Sequence, residues 1–499
     1  MNKTYITFSI VSFCLLLNAC SEDFLDKSDP TRLIASTFYQ TETEVEQAVN
    51  GVYGQLQSII INQWQYNEFI TDNTTLDFNV ANRGQGPALE AIEFWQINSS
   101  TPNINSLYNS VYQTMVNINT TLSKLSGATI DEAKRSQFEG EVKFIRAYYY
   151  FLLVQYFGEV IIITEPLNVP SEAYPFERQP VEDVYELIKS DLNFAINALP
   201  PGYNSDNTGR VTKGAALALL GKVHLTRKEY GEAISALEPV TELGYSLLPD
   251  YADVFDPANK NHAESIFDVQ FQGDNLLGEH SNFFYTFAPR EAGAIESFPT
   301  QAGGGWNTPS KDIIAAYEAG DLRKDVSLKE GFTKNDVFIP VPFINKYNHT
   351  HTLLGRTNDN WPVLRYADVL LMLAEASNEV SGPTTEAYGY VNAIRDRADL
   401  APLSGLNKDS FRDAVLQERR IELAFENHRW FDLKRTKTPE ELAAFLNAYG
   451  ERERSDPTTS RGGIPFTAAD LRFEPYEALF PIPATQIRIN PNLTQNDGY

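Results

Sequence analysis

The stretch Thr212–Leu243 constrains the fold of this chain more than any other part of the sequence. Its apolar spacing predicts two helices joined by a short turn at Arg227–Glu229. Leu220-Gly221, Ala233 and Leu237 occur at the spacing of a tetratricopeptide hairpin. In such a hairpin small residues let two helices approach, and large residues fill the space between successive hairpins. The pattern predicts a mainly α fold, built as a tetratricopeptide-like scaffold of helical pairs.

Helical patterns also flank this hairpin on both sides. Apolar residues recur at helical spacing in residues 41–58, 105–125, 133–157, 180–199, 366–376, 387–398 and 411–426. Between about 245 and 360 the pattern changes to short β-like runs, Ser265–Phe271 and Phe338–Phe343, with glycines at 303–305. We therefore expect an N-terminal helical region over residues 36–245. The C-terminal region, 246–499, would carry a loop-rich insert followed by returning helices.

The N-terminus has the layout of an export signal. Lys3 precedes the apolar run Ile6–Leu17, which is too short to span a bilayer, and Leu17–Cys20 is similar to a bacterial lipobox. Residues 1–19 would be removed as a signal peptide, Cys20 would carry lipid, and residues 20–35 would form a polar tether. An ordinary signal peptide with an incidental cysteine is the alternative. Two or more acyl chains suffice for stable anchoring, so the sequence predicts a lipid-anchored protein.

Charge and cysteine content limit the partners of this chain. Its 499 residues carry a net charge of −25, which argues against nucleic acid and anionic membrane surfaces, because both bind basic patches. The cysteines are Cys14, which leaves with the signal, and Cys20. The mature fold would then have no disulfide and no cysteine metal site.

The sequence gives no support for catalysis. It contains no hydrolase, nucleotide-loop or zinc-protease motif, and nothing indicates the paired carboxylates that a glycosidase needs. His349 and His351 lack a third nearby ligand for a metal. Glu418, Glu422 and Glu426 fall on one helix face, but neighbouring arginines favour a paired or solvated face over a catalytic one. We expect no catalytic residue, no cofactor and no metal.

Several motifs, taken in order along the chain, resemble the SusD/RagB family of outer-membrane nutrient-binding lipoproteins. They are Cys20–Asp26, Ala48–Tyr53, Gly140–Tyr148, Tyr156–Gly158, Gly209–Ala216, Leu364–Val369, Glu418–Leu423, Trp430–Arg435, Leu479–Pro483 and Gln495–Tyr499. The chain departs from the usual family pattern at Glu159–Ile161, and this difference affects a local turn. The resemblance implies a helical-pair scaffold with a variable ligand-binding half. It also implies a SusC-like TonB-dependent β-barrel transporter as partner and a glycan as the usual ligand, although some relatives take oligopeptides.

Glycan binding directs attention to aromatic residues in predicted loops. Sugar rings need flat apolar faces for their C–H surfaces, and polar side chains for their hydroxyls. The candidates are Trp64, Tyr66, Trp95, Phe284, Tyr285 and Trp306. Each could instead pack in the core. The Gly-Gly-Trp turn that ends at Trp306 also recurs in the family as a packing element.

Together these features predict a non-enzymatic, lipid-anchored protein of the outer membrane that faces the cell exterior. It would capture glycans and deliver them to the transporter. Arg146, Arg365, Arg419 and Arg420 lie near acidic residues on apolar helices and are expected to form buried ion pairs. One alternative keeps the fold and takes oligopeptides as ligands. A second alternative, from another class of protein, is an all-α glycoside hydrolase.

Overall fold

The computed structural model describes residues 39–77, 86–167, 169–274, 276, 278–290, 292 and 303–499. The expected signal peptide, Cys20 and the tether lie outside these residues. The described residues form sixteen α-helices and eight short strands, which confirms the mainly α fold class. None of these helices is both long enough and apolar enough to cross a membrane.

The first seven helices contain the scaffold. They are α1 Glu42–Asn67, α2 Gly86–Glu93, α3 Pro102–Leu125, α4 Glu132–Phe157, α5 Val181–Ala198, α6 Lys213–Thr226 and α7 Tyr230–Leu237. Thr41 and Glu44 form a reciprocal capping box at the start of α1. The carboxylate of Asp131 accepts from two backbone N–H groups at the start of α4. Gly158, with φ 72°, caps the other end of this helix. Helix α4 packs between α3 and α5 and is buried along its second half.

The predicted hairpin is present as α6 and α7. Thr212 caps α6, and the turn at Arg227–Glu229 contains Lys228 at φ 61°. A Cβ built on Gly221 would lie 2.3 Å from Cγ of Leu237, so only glycine allows the two helices to pack this closely. The hairpin and its small-residue contact are therefore confirmed.

The rest of the described chain alternates short strands with helices. The strands are β1 Thr74–Thr75, β2 Ser265–Val269, β3 Thr308–Pro309, β4 Leu328–Lys329, β5 Phe332–Lys334, β6 Val337–Ile339, β7 Phe343–Ile344 and β8 Trp361–Arg365. They pair antiparallel as β1–β3, β2–β8, β4–β7 and β5–β6. The helices are α8 Phe283–Phe287, α9 Lys311–Ala316, α10 Arg323–Ser327, α11 Tyr366–Ser381, α12 Thr385–Arg397, α13 Lys408–Glu422, α14 Arg429–Thr436, α15 Pro439–Ser455 and α16 Ala484–Ile489.

Some element boundaries differ from the sequence expectation. The run Phe338–Phe343 is divided between β6 and β7, because Pro340 and Pro342 have no N–H to donate to a strand partner. The helix expected over 411–426 ends at Glu422, and the chain turns through Phe425 at φ 64°. Helix α1 continues past residue 58 to Asn67, so Trp64 and Tyr66 are helical and not in a loop.

Buried ion pairs connect distant parts of the fold. Arg365 donates to Glu264, Glu422 and Glu426, with N–O distances of 2.8, 2.5 and 2.8 Å, and all four side chains are 2% exposed or less. The other arginines behave alike: Arg146 pairs with Asp191, Arg419 with Asp368 and Asp432, and Arg420 with Asp72. The predicted pairing is confirmed, and Glu418, Glu422 and Glu426 form buried pairs instead of a catalytic row.

Candidate functional site

The two tryptophans in the N-terminal half are core residues. Trp64 is 4% exposed and packs edge-on against Phe69, with ring centroids 4.8 Å apart. Trp95 is 3% exposed and packs in the same way against Phe473 at 5.6 Å. Each indole N–H donates to a main-chain carbonyl oxygen, at 3.1 Å for Trp64 and 3.2 Å for Trp95. Neither ring presents an open face to solvent.

Tyr66 and Phe284 are also buried. The hydroxyl of Tyr66 donates to the carbonyl oxygen of Asn103 at 2.8 Å, and its ring packs among aromatic neighbours. Phe284 is 2% exposed, and its ring centroid lies 4.5 Å from that of His351. Four of the six candidate rings are therefore covered by protein.

Tyr285 and Trp306 are the two candidates that reach the surface, and the backbone brings them together. Tyr285 is 39% exposed, whereas Trp306 is partly buried. The N–H of Gly304 donates to the carbonyl oxygen of Tyr285 at 2.5 Å, and the N–H of Trp306 donates to that of Thr286 at 2.9 Å. The segment that carries Trp306 is thereby fixed along helix α8.

The glycines before Trp306 are required by this arrangement. A Cβ on Gly303 would lie 2.0 Å from the carbonyl oxygen of Ala288, and one on Gly304 would lie 2.2 Å from Nε1 of Trp306. Only glycine lets the chain approach α8 and lets the indole fold back over the backbone. The turn is therefore a packing element that also fixes the position of the Trp306 ring.

Arg290 stands beside Trp306 with part of its hydrogen-bonding capacity unused. Its guanidinium lies 5.4 Å from the centroid of the Trp306 ring. Its Nη2 donates to the main-chain oxygens of Asp77 at 3.2 Å and Gly304 at 3.0 Å. Its Nη1 is buried and has no hydrogen-bond partner among the described residues. This arginine is thus held in place by backbone groups, and one buried nitrogen is left unpaired.

Further unsatisfied polar atoms lie on the residue after Trp306 and across the β1–β3 pair. Asn307 is 1% exposed, yet its amide nitrogen and oxygen both lack a partner within the described part of the structure. The hydroxyl of Thr74, on the opposite strand, is also buried and unpartnered there. More than about 90% of buried polar groups in native proteins are hydrogen-bonded. We call the group Thr74, Tyr285, Arg290, Trp306 and Asn307 the Trp306 site.

A buried carboxyl group lies behind strand β1. The Thr75 hydroxyl and the N–H of Leu76 both donate to Glu93, the latter at 2.9 Å. Burial raises the pKa of Glu93 to about 7. This carboxyl group connects β1 to the end of helix α2.

The described residues contain no cluster of three or more His, Cys, Asp or Glu side chains placed to hold a metal ion. His349 instead pairs with Asp359, while His351 lies against Phe284. The Trp306 site therefore presents the exposed ring of Tyr285 and part of the Trp306 ring, while its unpartnered polar atoms on Arg290, Asn307 and Thr74 are buried. Such rings suit a ligand with flat apolar faces.

Sequence reasoning found the aromatic members of this site but missed its polar members. Asn307 directly follows Trp306, and Arg290 follows Tyr285 by five residues, so proximity to the aromatic residues was an available signal. Thr74 gave no comparable signal, because it reaches the site only through pairing of β1 with β3, more than 230 residues later.

Two family models match separate parts of the chain. One family model, described as the SusD family, matches residues 326–499, and another, described as starch-binding and associating with the outer membrane, matches residues 23–225. The chain belongs to the SusD/RagB family. This SusD-like protein is 29% identical over 547 residues to SusD-like protein P25 of Formosa agariphila, a match that covers 98% of each chain.

Solved structures agree with the assignment. A laminarin binding SusD-like protein shares 27% sequence identity with this chain, and the two structures superpose with a TM-score of 0.77. The superposition covers 92% of this chain and 100% of the other. A SusD homolog from Bacteroides thetaiotaomicron has a TM-score of 0.80 at 22% identity, covering 95% of this chain and 100% of that chain. The second comparison bears on the fold alone. The first of these proteins is named for binding laminarin, and one of the two family descriptions gives starch binding and association with the outer membrane.

Proposed function

We propose that this protein binds glycans at the Trp306 site and passes them to a TonB-dependent outer-membrane transporter. The observation that carries the proposal is the exposed ring of Tyr285, which the backbone holds near the partly accessible ring of Trp306, with the Arg290 guanidinium beside it. The name of the laminarin-binding relative supports the same class of ligand.

Binding would combine stacking with hydrogen bonding. A sugar ring would lie on the exposed face of Tyr285 and on the accessible part of Trp306, whose other neighbour is the Arg290 guanidinium. Nη1 of Arg290 and the amide of Asn307 are buried, so ligand hydroxyls would bond to them only after local movement of the chain that covers them. Since few groups contribute, each site would hold its ligand weakly and release it readily.

Location and partnership form the second half of the proposal. Lipid on Cys20 would anchor the protein in the outer membrane, with the binding surface toward the cell exterior. A SusC-like barrel would receive the ligand. A mild-detergent pull-down through a C-terminal tag should recover a large outer-membrane β-barrel together with this protein. Repeated recovery of this chain alone, from membranes in which other complexes survive, would contradict the partnership.

The binding proposal is tested by affinity gel electrophoresis with three neutral polysaccharides: laminarin, xylan and galactomannan. We expect at least one to retard the wild type. Trp306→Ala and Tyr285→Ala should each weaken that binding by roughly 1–3 kcal/mol. Tyr174→Ala is the matched control, because Tyr174 is 46% exposed and lies outside the site. Asn307→Ala should weaken binding as well, while circular dichroism confirms that it remains folded.

Two results would contradict the proposed function. The first is equal retardation of the wild type and all three site variants. The second is release of reducing sugar by the purified protein, which would favour the glycoside hydrolase alternative. Binding of mixed casein peptides with no retardation by any polysaccharide would favour the oligopeptide alternative.

A further inference from the structure

A groove separate from the Trp306 site lies at the junction between the scaffold and strand β2. It has a volume of about 350 Å³, and its walls come from the chain between α5 and α6 and from the chain between α7 and β2. Pockets that hold small ligands usually have volumes of about 300–1,000 Å³. It shares no residue with the Trp306 site. We call it the Tyr245 groove, after a residue that lines it together with Tyr203, Asn261 and Asp268.

Tyr245 lines the groove and is held against helix α6. A Cβ built on Gly214 would lie 2.6 Å from Cε2 and from the hydroxyl oxygen of Tyr245. Its hydroxyl hydrogen-bonds with that of Thr212 at 2.9 Å. Tyr203, across the connection from α5, donates its hydroxyl to the carbonyl oxygen of Val211 at 3.0 Å. Both tyrosines therefore use their hydroxyls within the protein and are half-buried, so their rings are what they offer to a ligand.

The groove presents little net charge, although the whole chain carries −25. Its arginine, Arg210, pairs with Glu141 and Glu46, both at 2.8 Å. The amide of Asn261 forms a reciprocal pair with the side chain of Gln270, at 3.0 and 2.9 Å. An anionic ligand would have to displace one of these glutamates to pair with Arg210. A neutral ligand can bind without breaking an ion pair.

One polar atom in the wall has no partner. Asp268 is 8% exposed and accepts from Ser265 through Oδ2 at 2.8 Å, while its Oδ1 has no hydrogen-bond partner in the described residues. Asp268 lines both the groove and a smaller cavity beside it. Burial raises the pKa of Asp268 to about 7, so near neutral pH the carboxyl group can donate or accept. Oδ1 is buried, so a ligand hydroxyl would satisfy either form after a small movement of the groove wall.

We infer that the Tyr245 groove is a second, independent binding site for a neutral saccharide. Tyr203 and Tyr245 supply the rings against which the sugar packs, and Asp268 supplies a polar contact to its hydroxyls. That the ligand is a saccharide rests on the proposed function, whereas the groove itself is observed independently of it. Two separate sites on one chain would let a single polysaccharide be held at two points, which strengthens binding without new contacts at either point.

The test compares four proteins in affinity gels that contain laminarin, xylan or galactomannan. They are the wild type, Tyr245→Ala, Trp306→Ala and the double variant. We expect each single variant to bind about tenfold more weakly than the wild type, and the double variant to lose retardation. Gly202→Leu provides a second perturbation, because Gly202 lines the groove and has open space around it. It should weaken binding as Tyr245→Ala does.

Gly231→Leu is the matched control, since Gly231 also has open space around it but lies outside the groove. Thermal melting of every variant separates loss of binding from loss of fold. Suppose that Tyr245→Ala and Gly202→Leu are retarded as strongly as the wild type, whereas Trp306→Ala is retarded less. This result would overturn the binding role of the groove and leave the proposed function intact. The reverse pattern would support the groove and contradict the Trp306 site. No retardation of the wild type by any of the three polysaccharides would contradict both.

Discussion

Replacing Gly221 with alanine tests the packing on which the helical scaffold depends. Alanine in a helix interior is favoured over glycine by about 1 kcal/mol, so the substitution would stabilise an isolated helix. Here the new Cβ would lie 2.3 Å from Cγ and 2.5 Å from Cδ2 of Leu237, which is fully buried. Carbon atoms normally approach to about 3.5–4.0 Å. Helices α6 and α7 would therefore have to separate by more than 1 Å, or Leu237 would have to leave its rotamer.

Such overpacking costs about 1–3 kcal/mol, which equals or exceeds the gain in helix propensity. Gly54→Ala is the matched control, because Gly54 lies inside α1, is exposed, and has nothing within 4 Å of a built Cβ. We expect this control to be stabilised by up to about 1 kcal/mol. The two alanine variants should therefore differ in unfolding free energy by about 1–3 kcal/mol, the overpacking term alone.

Urea denaturation followed by circular dichroism measures this difference. A second comparison checks its cause. Leu237→Ala alone should destabilise the protein by about 2–5 kcal/mol, but it should cost less when Gly221 is already alanine, because the overlap is then removed. If Gly221→Ala proves as stable as Gly54→Ala, the close contact between α6 and α7 is wrong.

Three further outcomes are expected. Ala216→Leu should overpack the fully buried face of α6 and lower the unfolding free energy by about 1–3 kcal/mol in urea titrations, and an unchanged midpoint would count against the helical-pair packing. Cys20→Ala should abolish labelling by radioactive palmitate and release the protein from the membrane fraction; continued labelling would refute the lipobox interpretation. Burial raises the pKa of Glu68 to about 8, so the folded state binds this proton more tightly than the unfolded state, and stability should fall as pH rises from 5 to 8. Glu68→Gln should reduce that slope in denaturation series at several pH values, whereas an identical slope would exclude Glu68 as its source.

Local sequence was sufficient to predict most of the helices. The period of apolar residues and the capping residues depend on neighbours within one or two turns, so α4, α5 and the α6–α7 pair appear close to their expected bounds. The buried arginine pairs were also predictable, because a charged residue on an apolar helix requires a partner. Helix α15, Pro439–Ser455, was not anticipated, although its capping residues Thr438 and Glu441 were visible in the sequence.

The composition of the candidate site was decided by tertiary structure. Whether an aromatic ring faces solvent depends on which remote segment covers it, and sequence patterns do not contain that information. Trp64 is covered in part by Phe287 from helix α8, and Trp95 by Phe473 near the C-terminus, while Tyr285 has no such cover. The sequence by itself therefore determined the scaffold, the family and a set of aromatic candidates. Only long-range packing selected Tyr285 and Trp306 from that set and brought Thr74 and Asp77 to the site, because the pairing of Thr74 with Pro309 and the bond from Arg290 to Asp77 join residues more than 200 positions apart.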